Sequence, residues 1–522
     1  MVRGMKSASV LLGEEFGTIS DLIRAHASER PAAVALVDGD ERLSYGQLDQ
    51  LMDRVATALQ QDGLRPGDIV AICARTTTDY CAVFLGALRA GIAVAPISPS
   101  STPKSIMSMI NDCDAKVFFL DAAVVDAVER IDPQENSIKR VYLESSSAGQ
   151  SLSRWLAPTD ARPAQVVLDP NDIFNIIYSS GTTGEPKGIV HSHQMRWTQI
   201  TAARTSSGYN ASSVSIVSTP MYSNTTLVAF FPTLAVGGKA VLMNKFDATL
   251  FLHLAQEHRA THAMLVPVQY RRIMAVPDFD RYDLSSFVIK TSTSAPFEAR
   301  LKAEVLKRWP GGLTEGYGLT EGGVVCRLPA HQHPDKLHTV GRPAPGYEIR
   351  LIDDMGNEVE RGQIGEVVGH APYMMSGYYR RPDKTAEAEW IDSTGKRFIR
   401  SGDFGRFDDD GFLVLIDRKK DMIISGGFNI YPSDIEAVLV RHDAVAEAAV
   451  VGVPSKRWGE TPVAFVVLKA DAGQAADAIR YWLNDQVGKM QRVATVVIVP
   501  ALPRSAIGKV LKRELRERYT AA

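Results

Sequence analysis

An α/β architecture, with a β-rich subdomain and a small α+β domain at its C-terminal end, is the fold class that this chain of 522 residues predicts. Three observations carry that prediction. Helical and strand patterns alternate through 16–120 and again through 214–320, the rhythm of sheets with crossover helices. Short strands separated by Gly and Asp turns take over from about 335. The charged run Asp417-Arg418-Lys419-Lys420-Asp421 then divides the apolar stretches Phe412–Ile416 and Met422–Ile424, which marks a boundary rather than the inside of one packed domain. The expected parts are a large N-terminal domain of α/β subdomains over 1–417, its β-rich part at about 335–417, a hinge at 418–421 and a C-terminal domain at 422–522.

The elements follow in order. A capping box at Ser44 and Gln47 starts a helix whose face carries Leu48, Leu51, Val55 and Leu59 and which ends at Gly63. Strands are expected at Ile69–Ile72, Val117–Leu120, Ile173–Ile177, Val214–Val217 and Ala240–Met243, with a helix over 249–258. The β-rich part contributes Glu348–Ile352 and Gly365–Val368. Beyond the charged run come a helix at 432–441, with Pro432 in its first turn, strands at 445–453 and 461–469, a helix at 474–487, a strand at 493–499 and a helix from Val510 to Arg518.

Composition excludes several classes. With 45% hydrophobic and 23% charged residues, 58 basic against 60 acidic side chains and a net charge of −2, the chain has no general field for nucleic acid or an anionic membrane. No apolar run approaches the roughly 18 residues of a membrane span. Val10-Leu11-Leu12 is too short for a signal-peptide core, and Cys73, Cys81, Cys113 and Cys326 lack paired spacing, so a cytoplasmic protein with reduced, buried thiols is expected. His191 and His193, and the set His331, His333 and His338, have no Cys nearby; solvated loop histidines are expected rather than zinc ligands.

Residues 178 to 188 read Tyr-Ser-Ser-Gly-Thr-Thr-Gly-Glu-Pro-Lys-Gly, directly behind the strand Ile173–Ile177. Gly181, Gly184 and Gly188 allow positive φ and close backbone approach, while Ser179, Ser180, Thr182 and Thr183 offer hydroxyls and Lys187 a cation to the phosphates of ATP. A linker would not combine a buried strand with Pro186-Lys187-Gly188. The Gly-Lys-Ser/Thr order of a Walker A loop is missing, so a different phosphate chemistry is implied.

This segment resembles the signature loop of the adenylate-forming enzymes, the superfamily of acyl-CoA synthetases, firefly luciferase and nonribosomal adenylation domains. Further motifs extend the similarity over nearly the whole chain. Gly316-Tyr317-Gly318-Leu319-Thr320-Glu321 reads alone as a packing anchor in a flexible turn as readily as a ligand platform. The resemblance makes Tyr317 the adenine-stacking ring, Thr320 a phosphate contact and Glu321 the Mg²⁺ ligand, and gives Thr182, Glu321 and Lys509 catalytic roles. Ser294-Ala295-Pro296 would lie beside the adenine, with Ser294 where the family commonly has Gly. Asp403 in Ser401-Gly402-Asp403, otherwise a turn acid near Asp408, Asp409 and Asp410, matches the ribose-binding Asp, and Arg418 the residue used beside it.

Ser425-Gly426-Gly427 and Arg457-Trp458-Gly459-Glu460 resemble segments lining the pantetheine channel; a plain turn and a core Trp remain the alternatives. Lys509, otherwise one of several cations with Lys512, Arg513, Arg516 and Arg518, matches the lysine that bridges carboxylate and α-phosphate. Lys420 occupies the family's hinge position, which implies a mobile C-terminal domain that exchanges Lys509 for the Gly426 to Tyr431 segment. Tyr222, Ser223 and Asn224 match the acyl-pocket motif, with Ser223 where many relatives have His.

The resemblance therefore implies an acyl-CoA synthetase using ATP, Mg²⁺ and CoA on a small carboxylic acid, as a monomer or homodimer. The expected acid is aromatic, of benzoate or hydroxycinnamate type. A medium-chain fatty acid, or a carrier-protein phosphopantetheine as acceptor, is the alternative; no carrier-like Asp-Ser-Leu segment follows Lys509, which favours CoA. A non-catalytic nucleotide-binding module is opposed by the presence together of Lys187, Glu321, Asp403 and Lys509.

Overall fold

The computed structural model describes residues 6–130, 138–144, 149–179, 186–418, 421–425, 428–455, 458–470, 472–505 and 508–520. They divide between a first unit, Met1–Gly323 with Pro329–Leu337 and Ala371–Glu389, and a second, Val324–Leu328 with His338–His370 and Trp390–Ala522.

In the first unit the helix expected after Ser44 runs Tyr45–Gln61. Ser44 Oγ accepts the Gln47 N–H, the Gln47 side chain accepts the Ser44 N–H, and Gly63 turns the chain at φ +87°. Two other helices, Thr78–Arg89 and Asn224–Ala235, are buried along nearly their whole length. A helix without a polar face needs cover on every side. One core supplies it, drawing Leu36, Ala240 and Leu242 from one sheet and Val70, Ile72, Val94 and Phe174 from another. Phe84, Phe174 and Phe231 meet there with ring centroids 5.1 to 6.3 Å apart. Gly86 permits the close crossing of Thr78–Arg89 on Tyr45–Gln61, since a Cβ at that position would fall 2.5 Å from Val55 Cβ.

One sheet of this unit places Gly377–Tyr378, Lys187–Ser192, Ile173–Ser179, Ala93–Pro96, Ile69–Cys73, Val117–Leu120, Lys139–Tyr142 and Gln150–Ser151 side by side. The other runs Gly312–Gly318, Ile289–Ser292, His262–Leu265, Val214–Val217, Lys239–Leu242 and Val34–Asp38, all parallel, with Glu41–Ser44 antiparallel at the edge. The four cysteines are buried and unpaired, as expected.

Two expectations are corrected, both at or near a pairing that the sequence does not announce. The strand before the Gly-rich loop has a return strand: Lys187–Ser192 pairs antiparallel with it, Ser179 opposite Lys187 and Tyr178 opposite Gly188. Gly188 is therefore extended strand rather than a left-handed turn, and it serves close packing, because a Cβ would lie 2.7 Å from Ile176 Cγ2. His191 and His193 are 0% and 3% exposed, not solvated, because His191 lies in that strand and His193 opens the helix His193–Ser207, whose first five residues are all buried.

The second unit holds an antiparallel sheet of Glu348–Ile352, Gly365–His370, Arg397–Phe407 and Leu413–Arg418. It also holds the α+β domain: helices Pro432–Leu439, Ala476–Gln486 and Lys512–Thr520 with strands Val445–Ser455, Gly459–Leu468 and Thr495–Ile498. Pro432 stands in the first turn of its helix as predicted.

Two stability predictions follow from the first unit. Burial holds the His193 imidazole down to about 4 against an ordinary 6.5, so the unfolded chain takes up its proton first as pH falls. Stability is full above pH 6.5 and is lost towards pH 4, by about 3 kcal/mol from this group. Denaturant unfolding across that window should give a shallower pH dependence for His193→Gln; an unchanged slope would exclude the buried imidazole as the cause. Ser294 takes a left-handed φ of +79°. Ser294→Gly should thus be more stable than Ser294→Ala by about 1 kcal/mol, the reverse of the order at ordinary positions, read from the same unfolding curves.

Candidate active site

The site of the first unit begins with strand direction. Val214–Val217, Ile289–Ser292 and Gly312–Gly318 run parallel, so the chain leaves all three at one edge of the sheet. Tyr222, Ser223 and Asn224 follow the first strand, Ser294, Ala295 and Pro296 the second, and Thr320 and Glu321 the third. The edge beyond the carboxyl ends of parallel strands is where such sheets bind ligands. Tyr222 and Asn224 are half-buried and Ser223 buried. A hydrogen bond of 2.6 Å between the Thr225 and Ser294 hydroxyls ties the first group to the second and steadies the left-handed Ser294.

Gly316, Tyr317 and Gly318 form the end of a strand instead of the turn expected, because pairing with Ile289–Ser292 keeps this segment extended. The left-handed glycines are Gly322 and Gly323, just after Glu321. Tyr317 is half-buried.

Glu321 is fixed from two sides. Met375 N–H donates to its carbonyl at 2.8 Å, and Tyr378 Oη donates to its Oε1 at 2.9 Å. Lys187 Nζ lies 5.1 Å from the centroid of the same Tyr378 ring. Tyr378 thus joins the lysine of the Gly-rich segment to the acid of the Tyr317 motif. Burial, and then the Glu321 charge, push its phenol well above the ordinary range, so it stays a donor. Sequence reasoning missed Tyr378; its only signal is the Gly377-Tyr378-Tyr379 run in a polar stretch.

A second group lies behind Thr320. Fully buried Arg196 donates from Nε to Asn175 Oδ1 at 2.9 Å, from Nη1 to Gln199 Oε1 at 2.8 Å and Asn224 Oδ1 at 2.7 Å, and from Nη2 to His191 Nδ1 at 2.8 Å. Arginine only donates, so His191 Nδ1 is the acceptor and its proton sits on Nε2, which bonds the Thr320 carbonyl at 2.7 Å. Burial and the neighbouring guanidinium hold His191 well below its ordinary range, while burial brings Arg196 down to about 9.

In the second unit, register sets Asp403 opposite Arg418 on neighbouring strands. Asp403 is buried, and its N–H donates to Ser401 Oγ at 3.0 Å. Ser425 pairs with Gly459, which brings buried Ser425 beside the segment carrying Trp458, itself 42% exposed rather than core. Lys509 N–H donates to Ser505 Oγ at 3.2 Å, its carbonyl accepts from Ser505 N–H at 2.8 Å, and Gly508 turns at φ +78°. Ser180, Gly181, Thr182, Thr183, Gly184, Lys420, Gly426 and Gly427 lie outside the described residues.

The donor set at Glu321 fits a hard cation such as Mg²⁺. One carboxylate oxygen is committed to Tyr378, and among the described residues no hydrogen bond falls on the other. Mg²⁺ characteristically takes one or two carboxylates together with substrate phosphates and water. No group of three or more metal-ligating side chains occurs among the described residues.

Comparison with known proteins identifies the family. Residues 23–379 match the AMP-binding enzyme family and 434–509 its C-terminal domain. The fatty acid–[acyl-carrier-protein] ligase ScoC of Streptomyces coeruleorubidus is 31% identical over 508 residues, 95% of each chain. The 4-coumarate–CoA ligase 2 of Nicotiana tabacum is 30% identical over 510 residues, 95% of this chain and 93% of that one. The ATP-bound structure of MatB from Rhodopseudomonas palustris superposes with a TM-score of 0.86 at 28% identity, over 96% of this chain and 99% of that one. With the match covering both the sheet edge at Glu321 and the segment ending in Lys509, the chain belongs to the AMP-binding enzymes of the adenylate-forming superfamily, in the acyl-CoA synthetase branch.

Proposed function

We propose that this acid–thiol ligase activates an aromatic carboxylic acid, of benzoate or hydroxycinnamate type, and transfers the acyl group to CoA. The observation that carries this reading is the common sheet edge, from which the Tyr222 to Asn224 segment, Ser294 and the Thr320 to Glu321 turn all emerge. Tyr222 offers a ring wall. Arg196 occupies Asn224 Oδ1, so the amide presents N–H donors to a substrate, which suits the oxygen of a ring hydroxyl better than an alkyl chain. A relative that is a 4-coumarate–CoA ligase supports the aromatic class. A fatty acid passed to a carrier protein is the second reading, favoured by the relative of that activity.

The chemistry begins from a carboxylate, whose oxygen is too poor a leaving group for acyl transfer. Attack of that oxygen on the α-phosphorus of ATP expels pyrophosphate and leaves an acyl-adenylate. Two anions must meet, so Lys509 bridges the carboxylate and the α-phosphate as charge builds. Lys187 and the 180–185 hydroxyls and amides bind the outer phosphates, Tyr317 stacks on adenine, and Asp403 with Arg418 takes the ribose. Bound Mg²⁺ at Glu321 would neutralise charge on the departing pyrophosphate. The CoA thiol then attacks the acyl carbon and AMP leaves. Rotation about Lys420 brings the Ser425 to Gly427 segment and Trp458 to the place that Lys509 held.

The test is pyrophosphate and AMP formation across benzoates, cinnamates and fatty acids from acetate to palmitate, each with and without CoA. Benzoates or cinnamates should give CoA-dependent AMP and a thioester; fatty acids alone would overturn the aromatic reading, and pyrophosphate without thioester the CoA reading. In Lys509→Ala, pyrophosphate exchange should fall at least about a hundredfold while thioester formation from supplied acyl-adenylate survives. Equal loss in both steps would remove Lys509 from the first.

Tyr378→Phe keeps the ring under Lys187 and removes the hydroxyl from Glu321. The apparent KM for Mg²⁺ should rise about tenfold with the KM for acid unchanged. An unaltered Mg²⁺ dependence would show that Tyr378 does not act through Glu321.

A further inference from the structure

We propose that Arg196 and His191 form a buried strut that positions the Thr320 to Glu321 turn for adenylation and links it to Asn224 on the acyl side. The inference rests on the reading that this turn serves the nucleotide and Asn224 the acid. Its basis is the direction of each bond. The guanidinium has five N–H groups, and four go to Asn175, Gln199, Asn224 and His191, at 2.7 to 2.9 Å. Asn175 completes the ring of constraints, for its amide nitrogen lies 3.3 Å from the same His191 Nδ1 that Arg196 reaches. A donor-only cation on Nδ1 leaves His191 one tautomer, and that tautomer aims its single N–H at the Thr320 carbonyl, 2.7 Å away.

That carbonyl belongs to the peptide bond leading into Glu321. On the other side of Glu321 the next carbonyl accepts from Met375 N–H at 2.8 Å, and the side chain accepts from Tyr378 Oη at 2.9 Å. Three separate elements thus hold one acid. The position after it turns the chain, with Gly322 and Gly323 in left-handed conformations and the Gly322 N–H donating to the Leu319 carbonyl at 3.1 Å. The His191 bond adds to that turn a hold on the Thr320 carbonyl, a group that the Leu319–Gly322 hydrogen bond does not engage. The acyl side enters through Nη1 of Arg196, which bonds Asn224 at the first position of the helix Asn224–Ala235. One rigid ion therefore touches both the residue before the metal-side acid, through His191, and the residue on the acid pocket.

Packing alone would not need this arrangement. An ion buried among neutral amides is less favourable than an apolar side chain of similar volume. What the ion adds is direction: four bonds whose geometry sets the rotamers of Asn175, Asn224, Gln199 and His191 together.

The experiment compares His191→Leu, His191→Gln and Arg196→Met with wild type in the full chain. Three quantities are read: acid-dependent ATP–pyrophosphate exchange, thioester formation from supplied acyl-adenylate, and Mg-ATP binding by calorimetry, beside thermal unfolding. Exchange should fall roughly ten- to hundredfold in His191→Leu and Arg196→Met, as expected for a displaced reacting group. Mg-ATP binding should weaken, thioester formation should hold within about twofold, and His191→Gln, which keeps an N–H for Thr320, should recover most of the exchange. The double variant His191→Leu with Arg196→Met should be no worse than the weaker single one, since the two act as one unit. Equal loss in both half-reactions, multiplying losses, or no advantage of Gln over Leu would overturn the strut. Where an apolar variant does not fold, Arg196→Lys decides: three donors cannot serve four acceptors, so exchange equal to wild type would overturn the proposal. A wild-type chain without exchange on any acid would instead overturn the activity reading, and the strut with it.

Discussion

The first unit depends on two helices that have no face for water. Thr78–Arg89 and Asn224–Ala235 are buried along almost their full length, so each must be covered by sheet on one side and by further apolar residues on the other. The core built around Phe84, Phe174 and Phe231 meets that demand with residues from both sheets. The consequence reaches the site directly. Asn224, the first residue of one of these helices, sits just past the strand Val214–Val217, so burying the helix also fixes where the Tyr222 to Asn224 segment leaves the sheet.

Local features were legible in the sequence because their physics is local. The Ser44 capping box, the stop at Gly63, the strand before the Gly-rich loop and the order of elements in the C-terminal domain each depend on residues a few positions apart. What escaped reading depends on partners far along the chain. His191 reads as solvated because its Thr320 carbonyl partner lies 129 residues away, and Arg196, though only five residues on, meets it through the turn from strand into helix. Tyr378 carries no motif of its own and gains meaning from Glu321 and Lys187. The misread glycines share one cause. Gly188 and Gly316 were assigned to turns for their flexibility, whereas strand pairing holds both extended, and Gly188 is required for the absence of a Cβ near Ile176.

The second unit shows the same rule from the other side. Its expected pairs lie in antiparallel neighbours, and register alone sets Asp403 across from Arg418 and Ser425 across from Gly459. Segments read separately in the sequence are therefore brought together at the backbone by antiparallel strand pairing.

Arg196 makes a different kind of contribution, through charge. Every acceptor that meets its guanidinium is neutral, and none of the ion pairs among the described residues includes it. Burial lowers its pKa only to about 9, so it remains a cation at neutral pH. A carboxylate partner would cancel that field locally; amides and an imidazole orient around it without removing it. The cation lies behind Thr320 and beside Asn224, next to the edge where a carboxylate and a triphosphate would have to approach each other. On the function proposed above, an uncompensated positive charge held in low dielectric would lower the cost of gathering two anions there, with dipoles already aligned before either ligand arrives.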